Sequence, residues 1–243
     1  MKNRKYLVLL LLSMLVLLSS VSLGDFKVRT MSVTYDGNKK ILETMDILDG
    51  EFMMNMGCRL DTGAVDIVFA IDSTGSMGGE LEDVKTTITS FASAMDAAGY
   101  DYAFGGVTFG DGCNVWDFDA SNPGNDLTRN LLQFTIQLNA TGVMGGDDGP
   151  ETSMDAIYQA TTTYNWRPYA VHIVIMFTDI NFCTLDRLTG SSFGHCNDRT
   201  EVTIPEVFDA TVTSGTIVYN IFPTSVYTSY PAEAAIYDSL AEM

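Results

Sequence analysis

"AVDIVFAIDSTGSMGGELEDVKTTI", residues 64–88, joins an apolar run, an aspartate, a hydroxyl-rich turn and a helical pattern. Its reading decides the fold. From Ala64 to Ile71 the run is apolar apart from Asp66 and rich in β-branched and aromatic residues, the pattern of a buried strand. Beyond the turn, Leu81, Val84, Ile88, Phe91, Met95 and Ala98 recur at steps of three and four, one face of an amphipathic helix that Gly99 stops. The unit is strand, tight turn, helix. The turn between them admits three readings: a helix cap, a raised nucleophile or a cradle for a metal ion.

The same alternation continues along the chain. "DYAFGGVTFGDG" reads as a second strand ending near Asp111, and "NVWDF" around Trp116 as a third. Leu127, Leu131, Phe134 and Leu138 mark a helix closed near Gly142. "GGDDGPETSMDAIYQA" opens another, with Pro150 in a first-turn position, where its missing N–H is no loss, and Glu151 complementing the positive helix end. "AVHIVIMFTD", residues 170–179, is almost continuously apolar, as a strand covered on both faces must be, and it too ends in an aspartate. A loop from Ile180 to Thr200 follows; then "EVFDATVTSG" reads as a helix, "TIVYNIF" as a strand and "PAEAAIYDSLAEM" as a last helix. The fold class is therefore α/β: a doubly wound, mostly parallel sheet with helices on both faces. The last helix reaches Met243 without a cap, which suggests truncation within the fold. Residues 25–60 stand apart as a short leader, with a possible β-hairpin turning at Asp36-Gly37.

The chain opens Met1-Lys2-Asn3-Arg4-Lys5, runs through an uncharged apolar block to Leu23, and reaches the small residue Gly24. That layout is a secretory signal peptide over residues 1–24, with an uncleaved membrane anchor as the alternative. Removing it takes three of the thirteen basic residues and none of the thirty-one acidic ones, leaving a net charge of −21. Such a charge repels phosphate backbones and anionic membranes, so nucleic acid is not an expected partner. A secreted or cell-surface protein is expected. Four cysteines in an exported chain allow three pairings; Cys183 and Cys196 bracket one loop and are paired here, leaving Cys58 with Cys113. No CxxC spacing supports a zinc site. Asn139-Ala140-Thr141 is a glycosylation acceptor sequence in a eukaryotic secretory pathway.

In open α/β sheets ligands bind beyond the carboxyl ends of the strands, where strand order reverses. Asp72 and Asp179 end the two most apolar strands, and with Thr74, Ser76 and the loop at Asp147-Asp148 they offer oxygen donors from three strand-end loops. Hard oxygen donors suit Mg²⁺, Mn²⁺ or Ca²⁺ rather than zinc or copper. No phosphate-binding or dinucleotide glycine motif accompanies a strand, and the glycines at 105–106 fit close packing better.

"DSTGSM" at 72–77 resembles the D-x-[ST]-x-S signature of the von Willebrand factor type A domain, whose metal-ion-dependent adhesion site is built from three loops. "AVDIVFAIDSTGSM", "FGGVTFGD", "GGDDGPETSMDAI" and "VHIVIMFTD" occur in that family's order, so the resemblance covers residues 61–243. It implies metal ligands Asp72, Thr74, Ser76, Asp148 and Asp179, a Mg²⁺ (or Mn²⁺ or Ca²⁺) ion, and an open coordination position for a partner's acidic side chain. It also implies a non-enzymatic role: binding another protein, an extracellular matrix or a surface component. Three departures follow. Thr74 replaces serine and keeps the hydroxyl; Asp148 stands where the family commonly has threonine and adds a carboxylate; Ile180 stands where glycine is frequent. The added charge holds a cation more tightly but weakens its pull on an acidic ligand.

Two other readings remain open from the residues. In one the ion is structural and the domain is an assembly part of a larger surface protein; under the adhesion reading the Cys183–Cys196 loop is the candidate for partner specificity. In the other Ser76 is a nucleophile: Thr74-Gly75-Ser76-Met77-Gly78 is one residue from a nucleophile elbow, and Asp179 and His195 follow in a hydrolase order. The missing first glycine, and His195 lying against Cys196, weigh against it.

Overall fold

A computed structural model of the chain describes residues 26–36, 39–46, 64–118, 126–144, 150–187 and 200–243, the first two segments as backbone. The expected signal segment 1–24, together with Cys58, Asp148, His195 and Cys196, lies outside the described residues. The quoted stretch forms β3 (Ala64–Asp72), a short 3₁₀ turn over Gly75–Gly78, and α1 (Leu81–Ala97). The side chains of β3 are buried almost throughout, on alternate sides of the sheet, for a simple reason. Successive side chains leave opposite faces of a strand, so Ile67, Phe69 and Ile71 join one core cluster while Val68 and Ala70 join another.

The remaining elements are β1 (Phe26–Asp36), β2 (Lys39–Asp46), β4 (Asp101–Phe109), β5 (Cys113–Val115), α2 (Leu131–Ala140), α3 (Ser153–Thr163), β6 (Val171–Phe177), α4 (Ile204–Ser214), β7 (Ile217–Pro223), α5 (Thr224–Ser229) and α6 (Pro231–Ala241). Among the described residues they build a seven-stranded sheet in the order β2-β1-β7-β6-β3-β4-β5. The central strands β7, β6, β3 and β4 run parallel, each step crossing over through helices. On one face α1 and α2 cover Phe69, Phe104 and Trp116, with Phe134 of α2 wedged among them at ring-centroid distances of 5.6, 4.8 and 6.0 Å. On the other, α3, α4 and α6 cover Val68, Val107 and Val174 through Ile157, Val207 and Tyr237. The doubly wound α/β architecture expected from the alternation is the one observed.

Four local expectations change. The strand around Trp116 is only Cys113–Val115, an antiparallel edge; Trp116 lies beyond it, fully buried, because its indole fills the space above Gly106 and its amide donates to the Gly106 carbonyl at 2.9 Å. A Cβ at Gly106 would overlap that indole, and one at Gly105 would stand 2.7 Å from Leu127 Cδ2, so close packing explains both glycines. The hairpin of the leader joins the domain's sheet: β1 pairs antiparallel with β2, and its start, Phe26 to Val28, pairs with β7. α4 begins at Ile204 rather than Glu206, since Thr203 and Glu206 form a reciprocal capping box with Pro205 in the first turn. The fourth change concerns Pro150 and Glu151. They precede α3, which starts at Ser153; Glu151 is extended, in a parallel bridge with Phe182.

The chain leaves β3 toward β4 on one side and returns to β6 on the other. The crevice at that reversal is bounded by the carboxyl ends of β3 and β6, where Asp72 and Asp179 lie.

Candidate functional site

Asp72 is the last residue of β3 and has no exposed surface. Its Oδ1 accepts from the Thr74 amide at 2.9 Å and the Thr74 hydroxyl at 2.7 Å, and its Oδ2 accepts from the Thr178 hydroxyl at 2.7 Å. The bond to Thr74 two residues on is the local turn that aspartate favours, and it turns the Thr74 side chain inward. Thr74 Oγ1 then lies 3.1 Å from Ser76 Oγ, and Ser76 donates to Asp179 Oδ1 at 2.9 Å. Four of the five expected residues are thus joined in one chain of oxygens across 103 positions of sequence between Ser76 and Asp179. The fifth, Asp148, lies outside the described residues.

Backbone bonds fix these loops. The amide and hydroxyl of Ser73 both donate to the Phe109 carbonyl, at 2.9 and 3.0 Å, and the Met144 amide donates to the Ser73 carbonyl at 2.6 Å. The Thr152 amide and hydroxyl donate to the Gly110 carbonyl at 3.0 and 2.8 Å, and the Glu151 amide donates to the Asn181 carbonyl at 3.0 Å. This network brings forward a residue that sequence reasoning assigned elsewhere. Glu151 is 3% exposed, and its Oε2 stands 3.9 Å from the Cβ position of Gly110, which in turn is 3.0 Å from Thr74 Cγ2. The buried Glu151 carboxylate and the Thr74 methyl therefore both stand near Gly110. The available signal was Pro150 followed by Glu151 and then Thr152, which precedes the helix: an acid held just before a helix, not within it.

The site is electrostatically unfavourable to itself. Burial pushes the Asp72 carboxyl up to about 6; the bonds from Thr74 and Thr178 oppose that rise and the charge of Asp179 adds to it. Burial also raises Asp179, against the bond from Ser76 and with the charge of Glu80. Below the crevice, Tyr237 of α6 shares a 2.6 Å hydrogen bond with Ser153. Its phenol is raised by burial above all, with the charges of Asp72, Glu233 and Glu151 adding. Desolvated carboxylates of one sign are a standing electrostatic cost unless a cation or protons neutralise them.

The residues fit a small, hard cation. All donors are oxygens, from carboxylates and hydroxyls, the set a hard cation prefers; among the described residues no three His, Cys, Asp or Glu side chains gather closely enough to hold a metal by themselves, so Asp72 and Asp179 would need the hydroxyls of Thr74 and Ser76 to complete the set. Neighbouring ligands around an octahedral ion with bonds near 2.1 Å stand ~3 Å apart, and the contacts between Thr74, Ser76 and Asp179 are 3.1 and 2.9 Å. Ser76 donates to the Asp179 carboxylate and not to an imidazole. His172 is at the start of β6, at the sheet's opposite end, with Nε2 2.9 Å from the Arg167 carbonyl and Nδ1 3.2 Å from that of Ser214.

The cysteine pairing changes. Cys113 is a free thiol, with Sγ 3.6 Å from both the carbonyl and the hydroxyl of Thr152, so the expected bond to Cys58 is not formed. β5 turns that sulfur toward the interior beside α3. Cys183 is buried, with its sulfur 3.6 Å from the Pro150 carbonyl, and its expected pairing with Cys196 lies outside the described residues. Among the described residues no helix is long and apolar enough to cross a membrane.

A family model described as von Willebrand factor type A domain matches residues 66–221. The chain is 31% identical over 121 residues to the alpha-protein kinase vwkA of Dictyostelium discoideum, covering 47% of this chain and 18% of that protein. It is 26% identical over 138 residues to human integrin beta-4, covering 49% of this chain and 8% of the integrin. The chain thus spans less than a fifth of either relative. Among solved structures it is similar to BatB from Bacteroides thetaiotaomicron, at 16% identity and a TM-score of 0.43 over 63% of this chain and 64% of that one.

Proposed function

The chain belongs to the von Willebrand factor type A domain family, a family of protein-interaction modules, and on that premise we propose that it is an extracytoplasmic, divalent-cation-dependent binding module without enzymatic activity. The observation that carries the reading is the continuous oxygen chain Asp72–Thr74–Ser76–Asp179 beneath the sheet's topological reversal. Thr74 and Ser76 supply neutral hydroxyls; Asp72 and Asp179 supply charge, and Glu151 is a buried second-loop carboxylate near Gly110. Asp148, which the family resemblance assigns to that loop, remains part of the proposed set. A bound Mg²⁺ or Mn²⁺ would supply a Lewis-acidic position for the carboxylate of a partner protein or matrix component. Ser76 is exposed whereas Asp72 and Thr74 are buried, and all three would help to hold the ion.

Calorimetric titration with Mg²⁺, Mn²⁺ and Ca²⁺, run on the wild type beside Asp72→Ala and Asp179→Asn, tests the reading. Saturable binding lost in both variants is the expected result. Equal titrations in all three proteins would defeat the metal site. Surface adhesion abolished by a chelator supports cation-mediated recognition, and adhesion that persists while thermal stability falls assigns the ion a structural role instead.

A further inference from the structure

The flank of α2 carries an apolar stripe that the core does not use. Phe134 and Leu138 are buried, whereas Leu132 is 69% exposed and Ile136, one turn on, 62%; Val143 and Met144 beyond the helix are each 48% exposed. Scattered exposed aliphatic residues are ordinary, but contiguous ones mark contact surfaces. Of the eight large apolar side chains exposed among the described residues, four fall in this one stretch.

Two features tie the stripe to the crevice and to the chemistry of what lies on it. Its end is anchored there, since the Met144 amide donates to the carbonyl of Ser73, the residue between Asp72 and Thr74. It is also free of charge: from Asn130 to Gly146 no residue is ionisable, in a chain whose net charge is −18. An acidic ligand is repelled by most of this protein's surface. Residues 130–146 themselves present it with no fixed negative charge.

We propose that the flank of α2 is the docking track for a partner segment that combines a carboxylate with aliphatic residues. The carboxylate reaches the Asp72–Asp179 crevice while the aliphatic side chains lie on Leu132, Ile136, Val143 and Met144. The inference rests on the cation-dependent reading of the crevice and adds the partner's composition and its direction of approach.

A displayed library of random 12-residue peptides, selected on the purified chain in Mg²⁺, is the probe. The variants are Leu132→Gln/Ile136→Gln, which removes apolar surface without adding charge, and Asp179→Asn, which weakens the ion site. Peptides enriched on the wild type are expected to pair Asp or Glu with Leu, Ile or Val. Synthetic copies should lose ~10-fold or more in affinity for the double variant, about what burying one well-packed aliphatic side chain contributes, while its Mg²⁺ titration stays unchanged. Mg²⁺-dependent acidic peptides that bind the double variant as tightly as the wild type would overturn the track and leave the crevice reading intact. Absence of any Mg²⁺-dependent peptide would overturn both. A Mg²⁺-independent dimer of the chain, dissolved by the double variant, would reassign the stripe to self-association and overturn the inference.

Discussion

Replacing Asp72 by asparagine should change stability with opposite signs in the absence and presence of a divalent cation. In the metal-free fold the Asp72 carboxyl is pushed from 3.8 to about 6, chiefly by burial, which corresponds to ~3 kcal/mol. The sign follows from the direction. A carboxyl whose folded value is raised contributes stability that is fully present below pH 3.8 and is lost as pH rises through about 6. At pH 7.5 in a chelator the wild type therefore carries this penalty, and the uncharged asparagine side chain of the variant does not. Asparagine keeps one carbonyl for the two bonds from Thr74 but presents an amide to Thr178, a loss of ~1 kcal/mol. The net expectation is a gain of ~2 kcal/mol, or a melting temperature higher by about 4–8 °C. At pH 3.5 the gain disappears. With Mg²⁺ at 100 times its dissociation constant the wild type gains ~2.7 kcal/mol and Asp72→Asn gains little, so the ranking reverses. Differential scanning fluorimetry at both pH values, with chelator and with Mg²⁺, reads all four conditions. A variant equally destabilised at pH 7.5 and 3.5 in chelator would refute the desolvation argument.

Two further outcomes test the scaffold. Arg167 donates through Nε to fully buried Asp66 at 2.6 Å and through Nη1 to Asp101 at 2.6 Å, and its own amide donates to Asp66 at 2.8 Å. Arg167→Met keeps most of the stem and strands the Asp66 charge, which should cost ~3–5 kcal/mol by urea unfolding; a cost below ~1 kcal/mol would show that water reaches Asp66. Burial pushes the Cys113 thiol up to about 12, so it should stay unmodified by a thiol reagent at pH 8 in the native protein and react promptly in urea. Immediate native labelling would show that β5 opens.

How much of this was legible in the sequence differs by element. β3 and β6 were readable because a strand covered on both faces must be apolar almost throughout, and both strands are. α1 was readable from a single face of apolar residues ending at Gly99, which adopts a positive φ of 70°. Asp72, Thr74 and Ser76 were legible because their spacing within one turn is itself the geometry. Glu151 was misplaced because a proline followed by an acid marks a helix start equally well whether the first turn forms there or two residues later. What decided the matter was the bridge to Phe182, a partner remote in sequence. The Cys113 assignment failed similarly: parity of cysteines carries no information about the direction in which a three-residue edge strand turns its sulfur.

By itself, then, the amino-acid order determined the alternating strands and helices, the doubly wound class and the hydroxyl turn after β3, since each depends on periodicity or on contacts within a few residues. Tertiary structure alone decided that Asp179 meets Ser76, that Glu151 bridges to Phe182 instead of opening a helix, that Cys113 is a free thiol, and that the uncharged stripe of α2 runs up to Ser73. The first two depend on the return of β6 to the far side of β3, and the third on the pairing of β5 with β4. Only the packing of whole elements, driven by burial of both sheet faces, brings such residues within reach of one another.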